Sequence, residues 1–340
     1  MYPEIILTKN SKKRSVDLVK NNRYQYPFDV NELTLAYVSN PYHNQCIEIK
    51  TMNIAGKGLN EQLMQALEDA TPKMSAYLIL YATILDLQIY GNAYWEIVKI
   101  NNNQHQIFHV PAQTMTLRER GFTQTVGEQK VEFTNDQVYH FKYISPLSTI
   151  YGAPDYLSIL ESLMLSKKII RYNDSYFDNN AIPDMAMIVE GGEMSPTALS
   201  AVRTFFRDKF QGVKNAHRLL YLPVREGMKV DFEKLQADQR DASYLNFYTQ
   251  TRDDIIVGHR VPPRLLGIVS AGSLGGGGEA TGQMEIFYET LIYPRQQILA
   301  GMLDELNKKH KIFNENSDFS ITPIVLKDTS NNPLDELLRR

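Results

Sequence analysis

The sequence predicts an α+β chain. A helix-rich start over about 40–89 gives way, after Gly91, to short strand patterns running to Ile144. Two long amphipathic helical stretches follow, near 155–179 and 236–256, and they bracket a shorter segment of mixed strand and helix signals.

In chain order, residues 9–23 carry Lys9, Lys12, Lys13, Arg14, Lys20 and Arg23 against Asp17 alone. This reads as a flexible basic arm, assigned to residues 1–35, either solvated or docked on an acidic neighbour or nucleic acid. Residues 40–58 read as a helix with Cys46, Ile47 and Ile54 near one face and Gly56 or Gly58 as the stop. Met74–Ile89 reads as a strongly apolar helix ending at Gly91. Strand composition follows at 93–98, Ile107–Val110, Gln113–Arg118, Lys130–Phe133 and Val138–Tyr143, punctuated by Gly121, Gly127 and Asn135-Asp136. Over Asp155–Asn179, Ile159, Leu163, Ile170 and Phe177 form the apolar stripe of a helix. Ala181-Ile182-Pro183 breaks it. Then come a strand at Met185–Val189, a helix from Ser195 with Pro196 at its first position, and a strand at Arg218–Leu222. The next helix, Gln236–Ile256, has Tyr244, Phe247, Tyr248, Thr251 and Ile255 as its apolar face, and Gly258 with Pro262-Pro263 as its stop. A glycine-rich loop occupies 267–282. The last helix, Gln283–Lys309, places Met284, Phe287, Leu291, Ile298, Met302 and Leu306 on one side. Pro294 should kink it, because the ring removes a hydrogen bond and crowds the preceding turn.

Composition narrows the function. At ~150 residues per domain, 340 residues suggest about two domains. The chain is 43% hydrophobic and 22% charged, which excludes a disordered or collagen-like protein. Lys+Arg 36 against Asp+Glu 39 gives −3, unlike a protein whose affinity rests on neutralising phosphates. The one cysteine, Cys46, excludes an intrachain disulfide and a paired-thiolate zinc site. The most apolar stretch, Met74–Leu85, falls short of the ~20 residues a bilayer span needs, so no membrane is expected. The charges of the N-terminus follow a very short apolar run, the reverse of a secretory signal, and the expectation is a reducing cytoplasm or a particle assembled there.

Catalytic chemistry finds little support. The glycine segment lacks the Lys-Ser/Thr that ends a phosphate-cradling loop, and Val261–Leu266 before it is not a clean strand. Its run Gly275–Gly278 maximises backbone freedom instead. His105 and His109 share a strand face but have no neighbouring Cys or carboxylate cluster, and they read as two surface histidines, so no metal and no cofactor are expected. No Gly-x-Ser-x-Gly elbow is present, and Cys46 reads as a small buried hydrophobe. Basic residues gather at Lys167, Lys168 and Arg171 and at Lys209, Lys214 and Arg218. Either group could touch phosphate or form a solvated or subunit-facing surface.

Five short motifs in order resemble those of tailed-bacteriophage portal proteins. They are Tyr90-Gly91-Asn92-Ala93-Tyr94-Trp95-Glu96, Tyr151-Gly152-Ala153-Pro154-Asp155-Tyr156-Leu157, Phe177-Asp178-Asn179-Asn180-Ala181 (with Asn180 where the family usually has Gly), His259-Arg260-Val261-Pro262-Pro263-Arg264-Leu265-Leu266-Gly267, and Gly272-Ser273-Leu274-Gly275 followed by Ile292-Tyr293-Pro294. The compact length is most similar to the PBSX-type branch of contractile-tailed phages.

The resemblance implies a portal-protein fold: long stem helices flanking a small α/β clip, with a β-rich wing and a kinked tunnel helix. It assigns 36–154 to the wing, 155–182 and 236–260 to the stem helices, 183–235 to the clip and 261–282 to the tunnel-loop region. Residues 283–326 become the tunnel helix and wing return, and 327–340 a polar tail. It implies a non-enzymatic dodecameric ring at the capsid vertex, formed in the host cytoplasm and kept in the virion. Double-stranded DNA would pass through without sequence-specific contact. The terminase large subunit, the major capsid and scaffold proteins and the head–tail connector would dock on it. Ser270, Gly272, Ser273, Leu274, Gly275, Gly276, Gly277, Gly278, Glu279 and Thr281 would line the channel. Two alternatives stay open: a nucleotide- or nucleic-acid-processing enzyme using the glycine loop, and a capsid or tail adaptor without a channel.

Overall fold

The computed structural model describes residues 19–20, 22–101, 104–179, 185–190, 196–197, 200, 204, 229–234, 239–268 and 277–324. The chain divides into two compact units, Met1–Ile159 with Ile256–Arg340, and Leu160–Ile255.

The first unit packs helices on antiparallel sheets. Its helices begin with α1 (Val30–Ser39), α2 (Pro41–Ala55), α3 (Glu61–Ala70) and α4 (Ala76–Tyr90). Each starts on a side-chain cap: Asp29, Asn40, Asn60 and Ser75 accept from backbone N–H groups of their first turns. One sheet has the order β1-β2-β5-β6-β7, where β1 is Val19–Lys20, β2 Arg23–Tyr24, β5 Met115–Arg118, β6 Gly121–Val126 and β7 Gln129–Phe133. The other has the order β4-β3-β8, with β3 Asn92–Asn101, β4 Gln104–Val110 and β8 Val138–Lys142. Trp95 lies at its centre, paired to His109 on one side and Tyr139 on the other. Trp95 Nε1–H donates to Thr83 Oγ1 of α4 at 2.6 Å, which satisfies the one polar atom of the largest core side chain. The core joins Cys46, Ile54, Leu67, Leu80, Trp95, Phe141, Ile292, Leu303 and Leu306.

The second unit contains most of two long helices, α5 (Leu160–Asn179) and α6 (Gln239–His259), and an antiparallel pair of β9 (Met185–Glu190) and β10 (Lys229–Lys234). Residues 196–197, 200 and 204 are helical, where a helix from Ser195 was expected. The expected strand at 218–222 lies outside the described residues, and β10 was not expected. The chain then continues through a 3₁₀ turn, Pro263–Leu266, to α7 (Gly277–Phe287), a π-helical turn (Tyr288–Ile292) and α8 (Tyr293–His310). No helix among the described residues is long and apolar enough to cross a membrane.

Several expectations need correction. The arm assigned to 1–35 does not extend that far, because Arg23 pairs with Arg118, Tyr26 stacks on Tyr151 at 3.7 Å, and α1 starts at Val30. The loop assigned to 267–282 ends earlier: Gly277, Gly278, Glu279 and Thr281 belong to α7. A helix tolerates glycine in its first turn, and an acid as third residue suits the positive end of the helix dipole. Gly258 does not stop α6, which runs on to His259. A Cβ at Gly258 would sit 2.1 Å from Ile159 Cγ2, so this glycine serves close packing, and Arg260 at φ 57° turns the chain. Ile170, Phe247 and Ile298, assigned to apolar faces, are exposed. Helical period identifies a stripe without saying whether anything covers it. His109 is not a free surface histidine, since its Nε2 lies 3.0 Å from Asp86 Oδ2. Among the described residues no group of three or more His, Cys, Asp or Glu is arranged to hold a metal.

Glycine is required at the α4–β3 junction. At Gly91 (φ 70°) an added Cβ would meet Ala153 C at 2.3 Å, and at Gly152 it would meet Gly91 O at 2.1 Å. At Gly267 (φ 74°) it would meet nothing within 4 Å. Gly91→Ala and Gly152→Ala should each lower stability by about 3 kcal/mol or more in urea denaturation, because rigid backbone must move. Gly267→Ala should cost only about 1 kcal/mol, the penalty of a left-handed alanine.

Candidate functional site

The motifs singled out in the sequence meet in one interlock inside the first unit. Gly91 takes the left-handed conformation that ends α4, and its N–H donates to Leu87 O. This turn aims Asn92 inward at full burial. Asn92 Nδ2 donates to Tyr90 O at 2.7 Å and Gly152 O at 2.9 Å. Its Oδ1 accepts from Gly152 N–H at 2.7 Å and faces His140 Nε2 at 2.9 Å. Tyr143 N–H donates to Gly91 O at 2.9 Å. Tyr151 OH accepts from Leu117 N–H at 2.9 Å, and Tyr156 OH donates to Ile89 O at 2.6 Å. Residues 89–92 and 151–156 therefore clamp each other through backbone and side chain.

A buried charge cluster adjoins the clamp. Asp155 Oδ1 lies 2.8 Å from Lys50 Nζ, and Oδ2 lies 3.3 Å from Arg295 and 3.5 Å from Arg260. Lys50 is fully buried on α2, a position that a helical wheel gives no reason to charge. Burial alone would raise the Asp155 carboxyl, but the Lys50 ammonium and then the Arg295 guanidinium outweigh it and hold the group at about 2. The Arg295 guanidinium also lies over the Tyr143 ring, 4.2 Å from its centroid. Beside the cluster, His43 Nδ1 and His259 Nε2 are 2.7 Å apart, and Tyr156 meets His43 edge-on. Burial, reinforced by the nearby Lys50 cation, pushes His43 down to about 3 and His259 to about 2, so both rings are neutral at pH 7. Cys46, one turn from His43, is buried, and burial pushes its thiol up to about 12, so it is no nucleophile.

From this knot the chain enters the glycine-rich segment. Val261 is buried, the 3₁₀ turn Pro263–Leu266 follows, and Gly267 closes it in the left-handed conformation. Ser270, Gly272, Ser273, Leu274, Gly275 and Gly276 lie outside the described residues. Beyond α7 the π-turn Tyr288–Ile292 ends two residues before Pro294, where one missing N–H must be absorbed. Gln296 then anchors α8, its Nε2 donating to Asn53 O at 3.1 Å and Ile54 O at 3.2 Å. Lys167, Lys168 and Arg171 are exposed on α5, while Lys209, Lys214 and Arg218 lie outside the described residues. The candidate site residues are thus not gathered into one described cluster. What is gathered, and was missed at the level of sequence, is the set Lys50, Asp155 and Arg295, which lie 105 and 140 residues apart. Only the lone acid within the Tyr151–Leu157 motif hinted at it.

The family model described as phage portal protein matches residues 47–323. The probable portal protein of Haemophilus phage HP1 (strain HP1c1) is 23% identical over 233 residues, covering 62% of this chain and 64% of its own. That of Escherichia phage P2 is 23% identical over 201 residues, 56% and 58% of the two chains. An uncharacterized protein of Bacillus subtilis (strain 168), YqbA, is 26% identical over 187 residues, 50% and 35%. The matches span less than two thirds of the length of these curated relatives. In fold, the chain resembles one from the virion of a native gene transfer agent particle, with TM-score 0.66 and 19% identity over 94% of this chain and 89% of the other. It also resembles one from the neck of such a particle computed with C12 symmetry, with TM-score 0.65 and 20% identity over 92% and 87%. The crystal structure of an HK97 family phage portal protein from Corynebacterium diphtheriae matches with TM-score 0.54 and 13% identity over 84% and 91%.

The knot sets the response to acid. His43 and His259 stay neutral when folded, so below pH ~6.5 the unfolded chain binds protons that the native one refuses. Stability should fall as pH drops from about 6.5, by up to about 1.4 kcal/mol per pH unit for each histidine. Asp155, whose pKa is depressed in the fold, adds a second loss between about pH 4 and 2. Urea titrations at pH 7.5, 6.0 and 5.0 check the first window, and His43→Asn should make that slope shallower. At pH 7, Asp155→Asn should cost about 3–5 kcal/mol, since it strands the buried Lys50.

Proposed function

The chain belongs to the phage portal protein family, and on that premise we propose that it closes with copies of itself into a twelve-membered ring through which double-stranded DNA is packaged and ejected. The observation that carries this reading is the stretch between Arg264 and Arg295. It holds no Lys or Arg, it includes the glycine run, and it lies inside the family match. A bore through which DNA must slide should offer steric contact and few phosphate-binding cations, because each bound phosphate releases counterions and adds salt-sensitive grip. Residues 269–276 would rim the narrowest part, with α7 and α8 behind them as the tunnel helix. A ring needs two different faces of one chain to meet and close. The exposed apolar residues of the long helices, among them Met164, Leu165 and Phe247, are suited to that. The twelve-fold count is supported by the neck structure whose fold this chain shares.

In this reading α5 and α6 form the stem. Residues 183–235 form the clip that meets the terminase large subunit during packaging and the head–tail connector afterwards, with Lys209, Lys214 and Arg218 as candidate contacts. Lys167, Lys168 and Arg171 belong to the stem surface. Residues 36–154, with the return that follows the tunnel helix up to 326, are the wing, facing the major capsid and scaffold proteins at the particle vertex. The protein is a conduit, with no catalytic step and no cofactor of its own.

Negative-stain images of the purified chain should show rings with a central hole, at a native mass about twelve times that of one chain. A particle without a hole would support the adaptor reading, and a nucleotide-dependent rise in melting temperature would support the enzyme. Ser273→Arg should leave ring assembly intact while adding a ring of cations to the bore. Packaged DNA per particle should fall several-fold, with partial recovery at higher salt. Unchanged packaging would place residue 273 away from the DNA.

A further inference from the structure

The two long helices of the second unit carry bare stripes of opposite charge. On α5, Leu163 and Ser166 are buried, while Met164, Lys168 and Arg171 are exposed at i, i+4 and i+7, with Lys167 beside them. On α6, Thr251 and Ile255 are buried, while Phe247, Gln250 and Asp254 are exposed at i, i+3 and i+7, with Asp253 beside them. Met164 is 46% exposed and Phe247 60%. Arg252 occupies Asp253 at 2.8 Å, but among the described residues Lys168, Arg171 and Asp254 enter no ion pair. One stripe is apolar and basic, and the other is apolar and acidic. A chain with two such stripes is complementary to a copy of itself, which is what a heterologous contact requires.

The spacing along the helices fits such a contact. Ile159, just before α5, lies against Gly258 near the end of α6. In the stem reading both helices run along the ring axis, and rotation about that axis keeps every residue of the next copy at its own height. Counted from the Ile159–Gly258 contact at about 1.5 Å per residue, Lys168 stands at about 13.5 Å and Asp254 at about 6 Å. On the same count Arg171 stands at about 18 Å and Phe247 at about 16.5 Å. Side chains lean toward the N-terminus of their own helix. The chain leaves the contact along α5 and returns to it along α6, so the Lys168 side chain leans toward the contact and the Asp254 side chain leans away from it. Their heights therefore converge. Arg171 comes level with the Phe247 ring, a guanidinium over an aromatic face.

Resting on the ring reading, we propose that the bare stripe of α5 docks on the bare stripe of α6 in the next copy, with Lys168 paired to that copy's Asp254 and Arg171 over its Phe247. The occupant is a second copy because the charge left over on one stripe is answered on the other, at matching height. Each copy uses both stripes once, so the contact closes a ring and leaves no stripe unused.

The test uses the full chain carrying Lys168→Glu, Asp254→Lys, or both. Both positions are exposed, so each variant should keep the far-UV spectrum and melting temperature of the parent. Light scattering and negative-stain images read assembly. Each single variant should form rings about tenfold less well than the parent at equal concentration, because a like-charge contact recurs at every interface. An equimolar mixture of the two single variants should restore rings, since alternating copies again oppose unlike charges, and the double variant should assemble like the parent. Single variants that assemble like the parent overturn the pairing and leave the ring standing. Rescue in the double variant without rescue in the mixture puts the pair inside one chain and overturns it too, as does failure of both rescues. A parent chain that forms no ring overturns the ring reading itself, and this contact with it.

Discussion

One side-chain amide sets the geometry of the first unit. Asn92 uses both N–H donors and both carbonyl lone pairs, on Tyr90, twice on Gly152, and on His140. An amide buried without partners costs several kcal/mol on a cyclohexane scale, about 4–8, so a fully satisfied one is tolerated only where every partner is in place. That requirement propagates. The contact to Gly152 brings two backbone segments within reach of each other, which excludes any Cβ at positions 91 and 152. The contact to His140 assigns its proton to Nε2, and the ring is stacked on that of Tyr94 with centroids 4.5 Å apart. Helix α4, strand β3 and the approach to α5 are thereby tied to one point.

The charge cluster extends the same constraint to the rest of the unit. One carboxylate faces three cations from three parts of the chain: Lys50 on α2, Arg260 after α6 and Arg295 on α8. Arg260 holds a left-handed backbone, an unfavourable state for a residue with a Cβ, and its guanidinium reaches back to Asp155. Such a cluster is a weak contributor to net stability, since an apolar replacement of equal volume would avoid desolvating any charge. Its place matters more: the chain leaves the first unit after Ile159 and returns at Ile256, and Asp155, His259 and Arg260 lie next to those two crossings.

Much of this was legible in order but not in contact. Gly91 ending an apolar helix, the switch to strand composition after it, and the interruption expected at Pro294, where a π-turn separates α7 from α8, are local signals, and local physics decides them. The buried Lys50 was not legible, because a lysine on a helix reads as solvated until its partner, 105 residues away, is brought to it. Gly258 was misread for a similar reason. A glycine near a helix end suggests a stop, whereas here the cause is Ile159, which is remote in sequence. The start of α7 was placed too late because four consecutive glycines outweighed the helix signals that follow them. The exposed Ile170, Phe247 and Ile298 mark the opposite limit: helical period sets which residues share a face, and it does not say whether the fold buries them.

The two ends of the Arg-free stretch are held by different kinds of contact. Arg295 is pinned to Asp155 and Tyr143, and Gln296 to the end of α2, with Tyr288 OH donating to Gln296 Oε1 at 3.1 Å. Upstream lies the Pro263–Leu266 turn, closed by Ile268 N–H donating to Pro263 O at 3.1 Å. Between these anchors the helix passes through a π-turn, whose extra residue shifts the face that follows it. Leu291 and Ile292 within the turn are packed in the core, while Ile286 one turn earlier is exposed. The helix path is thus anchored in the core by Ile292 and by a polar clamp at Gln296. The start of α8 is therefore fixed twice, through the charge of Arg295 and the amide of Gln296, independently of the helix that precedes it.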